Sequence, residues 1–251
     1  MIFHSIEAFL IDLDSDYEKD SLIDCYWRAH PRFNFFKYCG PHMTRVLDIG
    51  SGDGALHFWK SWGVPDRSDI VLYGCDLFLG KYADKYEQFF TLNLDEQGFP
   101  FEDETMDIVY TTHVLEHLHN PQLLLREILR CLKKGGYAYI EQPNYNSLLT
   151  PQREKFIING VEVSTTYFFD DPTHVRPYSG LEVFAKLLDI DRNIEYIQGG
   201  QISNPYLADL LLSYGYNNND SECMTYGVCL KSGWSDYVII RKKLAGITDV
   251  C

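Results

Sequence analysis

Residues 46–54 read Val-Leu-Asp-Ile-Gly-Ser-Gly-Asp-Gly, and two features of this stretch need a cause. Asp48 stands inside an apolar run, where a carboxylate is costly unless it is paired or hydrogen-bonded. Gly50, Gly52 and Gly54 then follow at every second position, giving up backbone entropy that other residues would not lose. A short apolar strand running into a glycine-rich turn is how open α/β sheets bring a ligand against main-chain atoms and the start of a helix.

Outward from that turn, apolar runs alternate with helical patterns. A helix is expected over 55–63 (ALHFWKSWG), with Leu56, Trp59 and Trp62 at roughly helical spacing and Gly63 and Pro65 closing it. Further strands are expected over IVLYGCD (70–76), FFTLNL (89–94), MDIVYTT (106–112) and YAYIEQP (137–143). Between the last two, Asn120 can cap a helix with Pro121 at its first position. Leu124, Leu125, Ile128, Leu129 and Leu132 form its apolar face, and KKGG (133–136) ends it. Strands alternating with helices at these lengths indicate an α/β fold, a doubly wound and mostly parallel sheet covered on both faces.

The flanks are less regular. Residues 20–40, rich in aromatics, read as helical turns over the mouth of the sheet or packed along its edge. From Asn144 to Tyr178 the alternation lapses, as in a lid or binding loop. SGLEVFAKLLDI (179–190) then resumes a helix, with Ser179 and Glu182 at capping-box spacing. The tail YGVCLKSGWSDYVIIRKK (226–243) suggests an antiparallel hairpin closing the sheet. NIEYIQGG (193–200) and YGVCLK (226–231) both qualify as the intervening strand.

At 251 residues, with 45% hydrophobic and 15% aromatic content, the chain fits one folded domain spanning 1–251, with a cap over 1–43 and an insertion or lid over 144–178. The N-terminus lacks a basic opening and carries Glu7, Asp12 and Asp14 among its apolar residues, unlike a targeting peptide. No run reaches the roughly 18 apolar residues of a membrane span. A cytosolic location, with no membrane association, is therefore expected. The seven cysteines are scattered without a C-x-x-C pair, so they read as reduced thiols rather than a disulfide framework or thiolate zinc site. A formal charge of −14 opposes binding to a phosphate backbone, so no nucleic acid partner is expected.

The glycine spacing G-x-G-x-G departs by one position from the dinucleotide fingerprint G-x-G-x-x-G. Asp48 and Asp53 would repel phosphates and suit a cation. Asp76, ending the second strand, is placed to accept both hydroxyls of a ribose. A positively charged nucleoside without phosphate fits this pattern.

Four elements in order, VLDIGSGDG (46–54), YGCDL (73–77), NLDEQGFPFEDETMDIVYTTHVLEHLHNP (93–121) and ILRCLKKGGYAYIEQPN (128–144), together resemble the class I S-adenosylmethionine-dependent methyltransferases, in their small-molecule branch (methyltransferase types 11 and 23). DPTHVRPYSGLEVFAKLL (171–188) resembles a further element of that branch. The resemblance implies a Rossmann-like sheet of seven strands and S-adenosylmethionine as cofactor. It implies that Gly50, Ser51, Gly52 and Gly54 wrap the methionine moiety and that Asp48 steadies the loop or the amino group. Asp76 would hold the ribose, Leu77 the adenine face, and Asn93, Leu94 and Asp95 the adenine edge; His113 would lie near the sulfonium. Met106 before Asp107, where the family usually has Phe, and GFPF (98–101) for the commoner Leu-Pro-Phe are departures that concern packing.

His113, His117 and His119 lie close together with Glu116, but a helical metal motif needs an i, i+4 pair on one face with a further anchor, and no matching Cys, His or Asp motif appears elsewhere, so no metal is expected. In the resembled family the Glu116-His117 pair packs under the active site. His174 precedes a capped helix on a pocket wall, where an imidazole can take a proton near neutral pH or bond a neighbouring main-chain group. The expected activity is methyl transfer to a small-molecule acceptor, an oxygen of a hydroxylated metabolite or glycan precursor, with His174 as the base. Alternatives are a non-catalytic S-adenosylmethionine-binding partner subunit and an aminopropyltransferase. An NAD-dependent reductase is disfavoured by the glycine spacing.

Overall fold

In the computed structural model, residues 17–62, 65–158, 160–164 and 167–244 are described. The acidic residues before position 17, Gly63 as a helix terminator and Cys251 lie outside them. The strands β1 (Arg45–Ile49), β2 (Val71–Asp76), β3 (Gln88–Thr91), β4 (Met106–Thr112), β5 (Leu132–Pro143), β8 (Ile194–Gln201) and β9 (Ser235–Lys242) make one sheet in the order β3-β2-β1-β4-β5-β9-β8. Strands β1 to β5 are parallel, and β9 runs antiparallel to both neighbours. A separate two-stranded ribbon, β6 (Ile157–Ile158) with β7 (Val161–Glu162), lies in the expected insertion.

Because β1 pairs with β2 on one side and β4 on the other, the crossovers diverge at β1. A crevice opens at its carboxyl end, where open α/β sheets bind ligands. The apolar runs of the central strands are continuous because both sheet faces are buried. Leu47, Ile49 and Val109 pack with Leu125 and Ile128 of α4 (Pro121–Cys131) and with Val183 and Leu187 of α5 (Gly180–Ile190). Val46, Ile108 and Tyr110 face the other way, onto Phe35, Phe36 and residues of α6 (Pro205–Asn218).

Residues 20–40 form α1 (Lys19–Ala29), α2 (Pro31–Asn34) and a 3₁₀ turn (Phe35–Tyr38). Trp27 of α1 stacks on Trp59 of α3 (Leu56–Trp59) at 5.9 Å. The helix expected over 55–63 is thus a single turn within the described residues. Asn120 makes no side-chain cap on α4; its amide donates instead to Asp95 Oδ1 at 2.7 Å, so a neighbouring loop ties down the helix start. Ser179 does cap α5, accepting from the Glu182 amide at 3.2 Å.

NIEYIQGG is the intervening strand, and YGVCLK belongs to helix α7 (Ser221–Ser232). Three local features make it helical. The Asp220 side chain accepts from the Cys223 amide at 3.0 Å, Gly233 ends the helix in the left-handed region, and Gly227 lets α6 approach closely. A Cβ at Gly227 would sit 3.0 Å from the Leu212 amide nitrogen. The sheet therefore closes in the antiparallel pair β8–β9, joined through the helical hairpin α6–α7 rather than a tight turn.

Candidate active site

At the carboxyl end of β1, Gly50, Gly52 and Gly54 all adopt positive φ, at 67°, 53° and 89°. Gly50 is fixed twice over, because a Cβ there would also fall 2.0 Å from Val114 Cγ2. The turn packs under the loop after β2. The Gly52 amide donates to Asp76 Oδ2 at 2.8 Å, and the Tyr82 amide donates to the Asp53 carbonyl at 2.9 Å. Asp76 keeps Oδ1 nearly free, with one long contact from the Phe78 amide at 3.4 Å. Leu77, Phe78 and Leu79 next to it are exposed apolar side chains at the mouth of the crevice.

Asp48 is buried, and its Oδ2 accepts from Tyr86 Oη at 2.6 Å. Burial pushes its carboxyl up to about 7, the Tyr86 hydroxyl opposes this, and the nearby Asp76 charge adds to it. Ser51 Oγ is buried without a hydrogen-bond partner in the middle of the turn. A buried hydroxyl in search of a partner, a cradle that excludes side chains and a carboxylate with a free oxygen fit a polar nucleoside cofactor.

Asn93, Leu94 and Asp95 follow β3, beside Asp76, whose carbonyl accepts from the Leu92 amide at 2.8 Å. Leu94 is buried. The two polar side chains build the loop itself: Asn93 Oδ1 accepts from the Asp95 amide at 3.1 Å, and Asp95 holds Asn120. The structure thus gathers Asp48, Gly50, Ser51, Gly52, Gly54 and Asp76 in one turn-on-loop unit, with Asn93 to Asp95 on the adjoining loop.

His113, just past β4, has φ +56°, a strained conformation for a residue with a side chain. Its amide donates to the Glu141 carbonyl at 2.9 Å, and its Nε2 lies 3.2 Å from Glu141 Oε1. About a third of the side chain (32%) stays open. Dense surroundings desolvate the ring and would lower its pKa, but the carboxylates of Glu116 and Glu141 outweigh this and raise it to about 9. Glu141 also accepts from Arg32 through Nε at 3.2 Å and through Nη2, and from Tyr139 Oη at 2.5 Å. Burial alone would raise the Glu141 pKa; Arg32 and the histidines hold it well below the usual carboxylate range. A small cavity of about 100 Å³ adjoins this group, lined among others by Tyr26, Arg32, His113, Glu141 and Trp234.

Arg32, Tyr86 and Glu141 escaped the sequence reading. Glu141 carried a usable signal, since a carboxylate inside the apolar run YAYIEQP poses the same question as Asp48 in VLDIG. Arg32 and Tyr86 carried none, because their partners are distant in sequence.

His174 does not meet the His113–Glu141 group. Its Nδ1 lies 2.5 Å from the Phe168 carbonyl, and its ring is 4.6 Å from that of His117. Glu116 is fully buried between His113 (3.4 Å) and His117 (4.0 Å). His119 is exposed and apart from these. Among the described residues, no helix is long and apolar enough to cross a membrane.

Comparison with known proteins agrees with this geometry. The methyltransferase domain family matches residues 19–188. Malonyl-[acyl-carrier protein] O-methyltransferase of Marinomonas sp. is 27% identical over 167 residues, which cover 63% of this chain and 55% of that protein. tRNA U34 carboxymethyltransferase of Pseudomonas fluorescens is 28% identical over 128 residues, covering 47% of this chain and 39% of that one. The chain therefore matches only about half, or less, of these relatives' lengths. A solved S-adenosylmethionine-dependent methyltransferase from Archaeoglobus fulgidus shares the fold, with a TM-score of 0.52 and 22% identity over 89% of this chain and 94% of that one. With the sheet order, the glycine turn and the family match in agreement, the chain belongs to the methyltransferase domain family and has the class I S-adenosylmethionine-dependent methyltransferase fold.

Proposed function

We propose that this protein transfers the methyl group of S-adenosylmethionine to an oxygen of a small hydroxylated metabolite or glycan precursor in the cytosol. The observation that carries the reading is the glycine turn joined to Asp76 through the Gly52 amide, with the unpartnered Ser51 hydroxyl inside it. In this reading Gly50, Ser51, Gly52 and Gly54 hold the methionine part and Asp48 steadies the turn. Asp76 takes the ribose through its free oxygen. Leu77 covers one adenine face, and Asn93, Leu94 and Asp95 border the ring edge.

Bound S-adenosylmethionine supplies a methyl group already activated on a cationic sulfur. What remains for the protein is alignment and exclusion of water. α1 and α2 act as a cap that brings Arg32 to Glu141, fixing His113 beside the proposed reaction centre. The segment 144–178 serves as the acceptor-side lid. His174 accepts the hydroxyl proton on Nε2, its Nδ1 being engaged by the Phe168 carbonyl. The Marinomonas relative named an O-methyltransferase supports an oxygen acceptor. The net charge of −14 weighs against RNA, although one relative is named for tRNA.

The test is transfer of labelled methyl from S-adenosylmethionine across a panel of hydroxylated metabolites, amines and total tRNA. Label in a hydroxylated small molecule, suppressed by S-adenosylhomocysteine, is expected. Label in tRNA or amines alone would overturn the acceptor assignment, and failure to bind the cofactor in calorimetry would overturn the whole reading.

A further inference from the structure

Glu116, His117 and His174 present one ligand atom each within 4.8 Å of one another. They come from a turn after β4 and from a loop some 57 residues later, so sequence spacing alone conceals the group. The two segments are pinned together by main-chain bonds, since the Val175 and Arg176 amides donate to the Glu116 carbonyl at 2.7 and 3.4 Å.

Hydrogen bonds fix both imidazole tautomers. The Phe168 carbonyl can only accept, so the 2.5 Å contact with His174 Nδ1 places the proton on that nitrogen and leaves a lone pair on Nε2. Thr173 Oγ1 donates to the Asp171 carboxylate at 2.6 Å, so at 2.8 Å it accepts from His117 Nδ1 and frees Nε2 there as well. Both rings thus bond a carbonyl or hydroxyl through Nδ1, the usual outer arrangement of histidine metal ligands, and the Asp171 carboxylate lies 4.0 Å from the Nε2 of His174. Between them lies the Glu116 carboxylate, fully buried, neither oxygen accepting a hydrogen bond. His113 Nδ1, 3.4 Å from Oε1, brings one positive charge to this carboxylate, while Oε2 has no hydrogen-bond partner, and a buried carboxylate oxygen left this way favours a further cation.

We propose that Glu116, His117 and His174 bind a divalent transition-metal ion through Glu116 Oε1 or Oε2 and the two Nε2 atoms. Two imidazoles and one carboxylate suit Zn²⁺ or a neighbouring first-row ion. A tetrahedral ion with ligands at about 2.1 Å holds them about 3.4 Å apart, so side-chain adjustment closes the present spacing. Three protein ligands leave a position open to water or an acceptor oxygen, on the side where His117 is partly exposed. With the ion present, Nε2 of His174 would be a ligand and no longer available as the base, and the ion would instead polarise an oxygen at the open position; the base role belongs to the metal-free chain.

The test uses the full chain, stripped with chelator, and titrates Zn²⁺ and Co²⁺ without S-adenosylmethionine, so that failure here leaves cofactor binding separately measurable. One equivalent of ion per chain is expected, with visible Co²⁺ absorption of a tetrahedral or five-coordinate site. His117→Ala and Glu116→Gln should each weaken binding more than tenfold. Thr173→Val, which releases the His117 tautomer without removing a ligand, should weaken it about tenfold. No uptake by the folded wild-type chain at micromolar ion, or uptake unchanged in folded His117→Ala, would overturn the proposal. If a variant fails to fold, the wild-type stoichiometry and Co²⁺ spectrum decide it.

Discussion

Tyr86 donates its hydroxyl to Asp48 at 2.6 Å from a residue 38 positions away, giving the carboxylate inside the first strand a hydrogen-bond partner. One bond does not fully offset burial, and the Asp48 carboxyl is pushed up to about 7. Between about pH 4, where an unfolded aspartate ionises, and pH 7 the folded chain holds a proton that the unfolded chain releases. The contribution of Asp48 to stability therefore falls as pH rises through this window. Asp48→Asn removes the titration and keeps an acceptor for Tyr86. Its melting temperature relative to wild type should rise from pH 4 to pH 7 and then level off; a difference independent of pH would refute the assignment.

Gly50 tests the cradle. Gly50→Ala forces a side chain into the left-handed region, at about 1–2 kcal/mol, and into Val114. Urea unfolding should show a loss of at least that size. Val114→Ala in the same background should recover the steric part and leave the backbone part. No recovery would mean that the clash is relieved by movement of the turn.

Asp76 tests the proposed sugar contact. Hydrogen bonds to a charged group contribute about 1.5–3 kcal/mol each, so Asp76→Ala should weaken S-adenosylmethionine and S-adenosylhomocysteine alike, by about 100-fold in calorimetry. A loss of less than threefold would remove Asp76 from the cofactor site.

Glu141 tests the cap. Glu141→Gln leaves the Arg32 guanidinium, only 10% exposed along its side chain, without its anionic partner. Breaking a buried pair in this way costs about 3–5 kcal/mol, measurable by urea unfolding. Adding Arg32→Met should restore much of the loss, because the orphaned charge is then gone. A second loss on top of the first would show that Arg32 acts chiefly through its stacking near Trp27 and Trp59.

Much of the scaffold was legible because its signals are local. Continuous apolar runs mark buried parallel strands, Ser179 and Glu182 mark the start of α5, and the glycines at 50, 52 and 54 mark a turn that main-chain geometry demands. The misreadings arose where local pattern is ambiguous. YGVCLK is as apolar as a strand, yet Asp220, Gly227 and Gly233 make it a helix against α6, while Asn120 makes no side-chain cap and is held through its own amide by Asp95 on another loop.

By itself the chain of residues determined the doubly wound parallel sheet and the position of its ligand-facing turn, because periodicity and glycine placement act over a few neighbouring residues. Only the tertiary structure decided that Arg32 meets Glu141 across 109 positions and that His174 returns to Glu116 and His117. Those meetings depend on how the crossovers and the insertion fold back on the sheet. Charged groups brought together in that way leave no periodic trace in the sequence.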